Sequence, residues 1–141
     1  MRFWDSSALL LLLVPEERSA ALTELFRDDP AVAVWWATPV ECASALARLE
    51  RERRVTEAGW QAATERLRAA ARGWTEVPPI DKVRDQATRL LRLHSLRAAD
   101  ALQLAAALVL ADFEPRTLPL VTLDLQLAAA ARREGFEVLG T

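Results

Sequence analysis

Apolar and polar residues alternate along the chain in a pattern that predicts strands and helices in turn. Residues 31–37 form a continuous apolar run, AVAVWWA, which is typical of a strand buried on both faces of a parallel sheet. Shorter apolar segments predict four more strands, at 2–4, 74–77, 119–122 and 136–139. The longer segments between them predict helices at 8–14, 16–27, 38–54, 55–72, 81–93, 96–112 and 124–134. This alternation predicts an α/β fold with a central parallel sheet covered by helices on both faces.

Several polar residues lie where helices are expected to start, and each has a purely structural interpretation. Thr38 and Glu41 have the spacing of a capping box, and Asp124 suits the N-cap of the last helix. Asp5, or the serines that follow it, can cap the helix at 8–14, which we expect Pro15 to end. Asp100 lies in a first helical turn, where the helix dipole favours an acid.

Length and composition narrow the possible classes of protein. The 141 residues predict one domain, 1–141, and a hydrophobic fraction of 52% is that of a globular chain. The net charge of −2 provides no global attraction to nucleic acid or anionic lipid, so any such binding must be local. The single cysteine and single histidine exclude a disulfide framework, a thiolate zinc site and a multi-histidine metal site. The apolar run at 8–14 is too short to span a membrane, and we expect a cytoplasmic protein.

Four acidic residues lie in strongly apolar surroundings, whereas most of the others lie among arginines on polar helix faces. These four are Asp5, Glu41, Asp100 and Asp124. Three of them follow predicted strands, at the carboxyl edge of a parallel sheet, where ligands bind in such folds. Asp100 joins them only if its helix presents its N-terminal end to the same edge. Clustered carboxylates need a counter-charge, and oxygen-only ligands suit Mg²⁺ or Mn²⁺. Phosphodiester hydrolysis is the chemistry that such a site favours.

The segments around these acids resemble PIN-domain nucleases, and specifically the VapC-type toxins of bacterial toxin–antitoxin pairs. The similar segments are 3–9 (FWDSSAL), 38–41 (TPVE), 96–105 (LRAADALQLA) and 121–127 (VTLDLQL). The resemblance covers essentially the whole chain and implies a three-layer α/β/α fold with a central parallel sheet. It also implies Mg²⁺- or Mn²⁺-dependent cleavage of RNA, a homodimer, and inhibition by a small antitoxin that inserts a segment near the active site.

The resemblance also assigns roles to particular residues. Asp5, Glu41, Asp100 and Asp124 match the family's four metal-binding acids. Ser7 matches the small hydroxyl residue that helps to hold the first acid, and Thr122 matches the pocket position before the last one. Arg97 lies beside the pocket, where it can contact phosphate or pair with a carboxylate. Ser6 stands where the family commonly has threonine.

Seven arginines in two consecutive predicted helices leave two interpretations open. They are Arg48, Arg51, Arg53, Arg54, Arg66, Arg68 and Arg72. They can form a patch that binds the RNA backbone, or a solvated face interleaved with glutamates. A groove between the 16–27 helix and the 38–72 helical pair would suit an antitoxin helix.

The remaining unusual residues have structural interpretations. We expect His94 to lie in a surface turn and Cys42 to be buried. Trp35 and Trp36 are expected in the core on opposite faces of a strand, and Trp60 and Trp74 are better candidates for exposed surfaces.

Other functions are compatible with an acidic pocket. A haloacid-dehalogenase-type phosphatase needs Asp-x-Asp after the first strand, where this chain has Asp5-Ser6-Ser7. A signalling receiver needs paired acids there and a lysine after a late strand, and the sequence has neither. The main alternative is a PIN-like module that binds RNA or an antitoxin with little or no turnover.

Overall fold

A five-stranded parallel sheet forms the centre of the molecule. The computed structural model describes residues 1–14 and 16–141. The strands are β1 (Arg2–Trp4), β2 (Val32–Trp35), β3 (Thr75–Val77), β4 (Leu120–Val121) and β5 (Val138–Leu139). They lie in the order β3-β2-β1-β4-β5, and every pairing between neighbours is parallel. All five predicted strands are confirmed.

Seven α-helices connect or follow the strands in the part of the chain that the structure describes. They are α1 (Ser6–Leu13), α2 (Ser19–Asp28), α3 (Thr38–Arg51), α4 (Glu57–Ala71), α5 (Asp81–Leu93), α6 (Ala98–Leu110) and α7 (Leu125–Arg133). Each predicted helix is present, and a short 3₁₀ turn at Pro115–Thr117 precedes β4. The expectation that Pro15 ends the first helix falls outside the described residues. None of the described helices has both the length and the hydropathy that crossing a membrane requires.

Helices cover both faces of the sheet and give three layers. The buried side chains of α5, α6 and α7 pack on one face together with Phe3 and Trp35. Those of α1 to α4 pack on the other face together with Trp4 and Val34. Phe3 and Trp4 are fully buried on opposite sides because successive side chains of a strand point to opposite faces. This is the α/β/α architecture with a central parallel sheet that the sequence predicts.

The end of α3 differs from its prediction at residue 54. The helix ends at Arg51, and Arg53 adopts a left-handed backbone conformation with φ 55°. The N–H of Arg54 then donates to the Leu49 carbonyl, which closes the last turn in the manner usual for helix C-termini. Glycine is the usual residue at such a position, so the sequence contains no conventional stop signal there.

Two expectations about the tryptophans are wrong. Trp36 is 54% exposed because β2 ends at Trp35 and the chain leaves the sheet after it. Trp60 and Trp74, expected at exposed surfaces, pack partly buried against the core beneath α1 to α4. Trp35 is buried as predicted.

Candidate active site at the carboxyl edge of the sheet

Asp5 stands at the junction of the central strand and the first helix. It follows β1 directly, its N–H donates to the Val121 carbonyl at 3.0 Å, and it is only 3% exposed. Its side chain also caps α1 by accepting a hydrogen bond from the N–H of Ser7 at 3.3 Å. The prediction that this helix is capped from the segment 5–7 is therefore confirmed for Asp5.

Three hydroxyl groups hold the Asp5 carboxylate in one orientation. Ser7 Oγ and Thr122 Oγ1 donate to Asp5 Oδ2 at 2.5 and 2.8 Å, and Ser6 Oγ reaches Oδ1 at 3.3 Å. Ser7 Oγ in turn accepts from the N–H of Leu123 at 3.0 Å. The serine therefore links α1 to the turn after β4 and fixes both elements around the same carboxylate.

Glu41 is held from two sides in the first turn of α3. Its Oε1 accepts from Gln103 Nε2 at 3.1 Å, and its Oε2 lies 3.3 Å from Ser6 Oγ, whose single proton is shared between this carboxylate and that of Asp5. Burial raises the pKa of the Glu41 carboxyl, and the negative charges of Asp5 and Asp100 raise it further. The hydrogen bonds from Gln103 and Ser6 act in the opposite direction but do not cancel this rise. A positive charge placed among these groups would favour the ionised form of Glu41.

The predicted capping box of α3 does not form. Ala37 is the N-cap, and Thr38 is already the first helical residue. Thr38 Oγ1 instead accepts a hydrogen bond from Gln103 Nε2 at 3.0 Å. Gln103, which is fully buried, therefore holds the start of α3 and the Glu41 carboxylate together. We did not assign a role to Gln103 from the sequence, although a polar side chain within the apolar segment after Asp100 indicates a buried hydrogen-bonding residue.

Asp100 and Asp124 reach the same edge from the N-termini of two helices. Asp124 caps α7, with Oδ1 accepting from the N–H of Leu127 at 2.8 Å, as the sequence predicts. Asp100 lies in the first turn of α6. Burial raises the pKa of its carboxyl, and the charges of Asp124 and Asp5 raise it further, while Arg97 acts in the opposite direction. The helix of Asp100 thus presents its N-terminus to the carboxyl edge of the sheet. The sequence alone did not decide this orientation.

All four acids line one open cavity of about 750 Å³. Ser6, Ser7 and Ser44 also line it, whereas Thr122 lies fully buried behind Asp5. Arg97 is the N-cap residue of α6 and is absent from the described cavity wall. Among the residues that the structure describes, no arginine, lysine or histidine lies within salt-bridge distance of any of the four carboxylates.

The donor set fits a hard divalent cation. It consists of carboxylate and hydroxyl oxygens, which Mg²⁺ and Mn²⁺ prefer. Within the described ranges, however, no three acidic, histidine or cysteine side chains lie close enough together to hold a metal ion as they stand, so at least one of the four acids would have to move on binding. Mg²⁺ tolerates widely spaced carboxylates because it usually keeps several of its waters when it binds to a protein.

Other sequence expectations have mixed outcomes. The imidazole of His94, expected in a surface turn, is only 8% exposed, with its Nε2 2.7 Å from Glu134 Oε1. Cys42 is buried as expected, and burial, with the nearby charges of Glu41 and Asp5, raises its thiol pKa to about 12. Of the seven arginines between residues 48 and 72, only Arg48 and Arg54 line the cavity.

Comparison with known proteins identifies the class of fold. No protein-family description matches the sequence, and a search of curated proteins finds no match. A chain of a toxin–antitoxin complex from Klebsiella pneumoniae is similar, with a TM-score of 0.64, 16% identity and 91% coverage of both chains. FitAcB from Neisseria gonorrhoeae has a TM-score of 0.64 and 18% identity, covering 98% of this chain and 96% of the other. PAE2754 from Pyrobaculum aerophilum has a TM-score of 0.60 and 25% identity, covering 92% and 83%. With the sheet topology, these similarities confirm the predicted three-layer α/β/α, PIN-like fold.

Proposed function

We propose that this protein is a metal-dependent endoribonuclease and the toxin of a toxin–antitoxin pair. The observation that carries the proposal is the convergence of Asp5, Glu41, Asp100 and Asp124 on one open cavity, with no cationic side chain of the described residues paired to them. Four clustered carboxylates that no salt bridge neutralises are costly unless a cation completes the site, and the charge of Arg97 offsets only part of this cost at Asp100. The fold shared with a chain of a toxin–antitoxin complex supports the biological assignment.

The chain's own residues hold and orient the acidic site. Ser7 and Thr122 fix Asp5 through hydrogen bonds to Oδ2, and Gln103 and Ser6 fix Glu41. A divalent cation, when bound, supplies the charge that activates water and stabilises the phosphate undergoing in-line attack. The four carboxylates are the residues that would hold it, while the cavity leaves room for an RNA phosphate between them and solvent.

The partners implied by the resemblance form part of the same proposal. A cognate antitoxin inhibits the toxin by occupying the region of the cavity, and two copies of residues 1–141, each a single nuclease domain, form a homodimer in the cytoplasm. The acidic site acts on phosphate and does not by itself distinguish RNA from DNA. Our choice of RNA rests on the resemblance of the segments around the four acids to VapC-type toxins.

Cleavage of total cellular RNA tests the proposal without any assumption about the substrate. Purified protein without antitoxin is incubated with total RNA and Mg²⁺ or Mn²⁺, and new 5′-phosphate ends are mapped by sequencing. We expect a few sharp new ends that disappear with chelator and in Asp100→Asn. Asp112→Asn is the matched control because Asp112 is an exposed acid at the opposite end of α6.

Two outcomes would contradict the proposal. Folded protein that produces no new ends with either metal would favour the alternative, a PIN-like module that binds RNA or an antitoxin. Ends that persist undiminished in Asp100→Asn would show that the activity does not come from this site.

A further inference from the structure

The cavity that contains the four acids extends to a second, basic end. It continues between α1 and α3, whose residues Leu10 and Leu49 contribute apolar walls. Its wall also includes Arg18, Arg48 and Arg54, which we call the arginine rim; Arg48 lies in the last turn of α3, whereas Glu41 lies in the first. Along α3 the cavity wall therefore changes from carboxylates at the start of the helix to arginines at and just after its end.

Helical spacing places the two ends on one face of α3. Glu41, Ala45 and Arg48 all line the cavity, and they are four and seven residues apart, as expected for one helix face. Seven residues of α-helix correspond to about 10 Å. Arg48 of the arginine rim is thus held on the same helix face as Glu41, two turns further along α3.

The guanidinium groups of the rim are available to a ligand. Arg48 is exposed, and no carboxylate among the described residues lies within salt-bridge distance of it. Arg54 is 63% exposed and lies 4.0 Å from Glu52 Oε2, and Arg18 is 80% exposed and lies 3.9 Å from Glu16 Oε2. Exposed pairs of this kind are weak and are easily exchanged for a phosphate. Glu16 also lines this end, so three arginines there oppose one acid.

We infer that the arginine rim binds the backbone phosphates of a single RNA strand whose cleaved phosphate lies at the four acids. This inference rests on the proposed function and specifies how its substrate is held. The carboxylates repel a polyanion, so an RNA strand needs a positive anchor nearby, and the rim provides one in the same cavity. The leucine side chains between the two ends offer van der Waals contacts for sugars and bases.

The arginines of α4 differ from those of the rim in their surroundings. Arg66 donates to the Leu13 carbonyl at 2.8 Å and serves the packing of α4 against α1. Arg68 is exposed on α4 and is absent from the described cavity wall. The local geometry therefore predicts different effects for two substitutions that change the net charge equally, Arg48→Gln and Arg68→Gln.

Salt-dependent RNA binding tests this difference. The Asp100→Asn protein, which we expect to leave RNA intact, is titrated with a fluorescein-labelled 12-nucleotide oligouridylate in Mg²⁺ at several salt concentrations. We expect Arg48→Gln to weaken binding by about three- to tenfold and to make the slope of log K against log salt shallower by about 0.7, because one phosphate contact is lost. Arg54→Gln should act in the same direction, and Arg68→Gln should leave affinity and slope unchanged.

Several results would overturn the inference. Unchanged affinity and slope in both Arg48→Gln and Arg54→Gln, in a parent protein that binds the oligonucleotide, would exclude the rim as an RNA contact while leaving the ribonuclease proposal intact. If Arg68→Gln weakened RNA binding as much as Arg48→Gln, the effect would come from the net charge of the protein and not from the rim. Weaker binding of an oligoglutamate peptide to Arg48→Gln, with unchanged RNA binding, would assign the rim to an acidic peptide. Failure of the parent to bind RNA, together with no cleavage of total RNA, would overturn both proposals.

Discussion

At the scale of single residues, Asp5 caps a helix and also presents a firmly oriented carboxylate to the cavity. Its side chain caps α1 while three hydroxyl groups converge on its carboxylate. Capping alone needs one hydrogen bond from a backbone N–H. The additional contacts from Ser7 and Thr122 fix the orientation of the carboxylate beyond what the helix requires, as expected for a group that must meet a ligand in one geometry.

The raised pKa of Glu41 predicts that its ionised carboxylate, the form that would bind a metal ion, lowers the stability of the metal-free protein. The pKa of Glu41 is raised in the folded protein, so its folded state holds the proton more tightly than the unfolded chain. The free energy of unfolding should therefore fall as pH rises from the ordinary glutamate value through the raised one. At pH 7 without metal, the Glu41 carboxylate destabilises the fold.

Glu41→Gln should stabilise the metal-free protein at neutral pH. Glutamine can still accept from Gln103 and contact Ser6, but it carries no charge to bury beside Asp5. We expect the free energy of unfolding at pH 7 to rise by about 0.5–1 kcal/mol after allowance for solvent screening. The gain should shrink as pH falls through the raised pKa of Glu41 and be lost below about 4.5, the ordinary value of a glutamate.

Urea denaturation in EDTA at several pH values measures this difference. Glu65→Gln is the control, since Glu65 is exposed on α4 and lies outside the cavity. Lower stability of Glu41→Gln at pH 7 would mean that the hydrogen bonds of this carboxylate outweigh the cost of burying its charge.

The limits of sequence reasoning at this scale are visible in Gln103 and Trp36. The four acids could be picked out because charged residues rarely occur in apolar segments. Gln103 lies in the same kind of segment, but its role depends on Thr38 and Glu41, which are more than 60 residues away in the sequence. Trp36 was expected in the core because an apolar run does not show where a strand ends.

At the scale of elements, the pattern of apolar residues predicts every strand and helix but not every boundary. Helix α5 has its predicted bounds, whereas α3 ends three residues early at a left-handed Arg53. Such ends depend on a backbone hydrogen bond, here from Arg54 to Leu49, that a side-chain pattern does not record. The order of the strands in the sheet was likewise not predicted, because it depends on contacts between distant segments.

A partly buried polar contact joins the end of α5 to the end of α7. Glu134, which follows α7, accepts from His94 at 2.7 Å and from Arg89 at 2.9 Å. Burial alone would raise the pKa of the Glu134 carboxyl, but the hydrogen bonds and charges of His94 and Arg89 outweigh it and lower the pKa. This contact anchors the segment that leads from α5 into α6, the helix of Asp100.

Glu134→Gln should destabilise the protein in a pH-dependent way. Because the folded pKa is lowered, the carboxylate stabilises the fold above its ordinary pKa, and this contribution is lost as pH falls through the lower folded value. We expect the variant to lose about 0.5–1 kcal/mol of unfolding free energy at pH 7, allowing for partial exposure, and to match the wild type in strong acid.

Urea titrations at pH 7, 5 and 3 provide the measurement, with Glu137→Gln as an exposed control close by. A difference between Glu134→Gln and wild type that stays constant from pH 7 to pH 3 would refute the linkage, because it would not depend on the charge of Glu134.

At the scale of the whole molecule, the sheet explains how residues far apart in sequence form one site. Asp5 and Asp124 follow neighbouring parallel strands, β1 and β4, whose carboxyl ends lie at the same edge. Glu41 enters on the helix after β2, on the other side of β1. The position of Asp100 depends on how α6 lies on the sheet, and this is why the sequence predicted three of the four acids at this edge more securely than the fourth.

The same arrangement gives one cavity both acidic and basic lining residues. The ends of the strands gather acidic groups, and α3 carries the cavity on to Arg48 along a rigid helix. A cation at the acids and a phosphate backbone at the arginines would each neutralise one end. Binding at either end is therefore expected to favour binding at the other.

Calorimetric titration of Mn²⁺ into the metal-free protein tests most directly whether the four acids form one metal centre. We predict saturable binding to the wild type, weakened at least about tenfold in Asp5→Asn and in Asp124→Asn, and unchanged in Asp112→Asn. Loss of binding in both variants at neutral pH, with their fold intact, would mean that acids from two separate strands act on the same ion. The absence of saturable binding in the wild type, or equal binding by wild type and Asp5→Asn, would contradict a metal centre at this edge of the sheet.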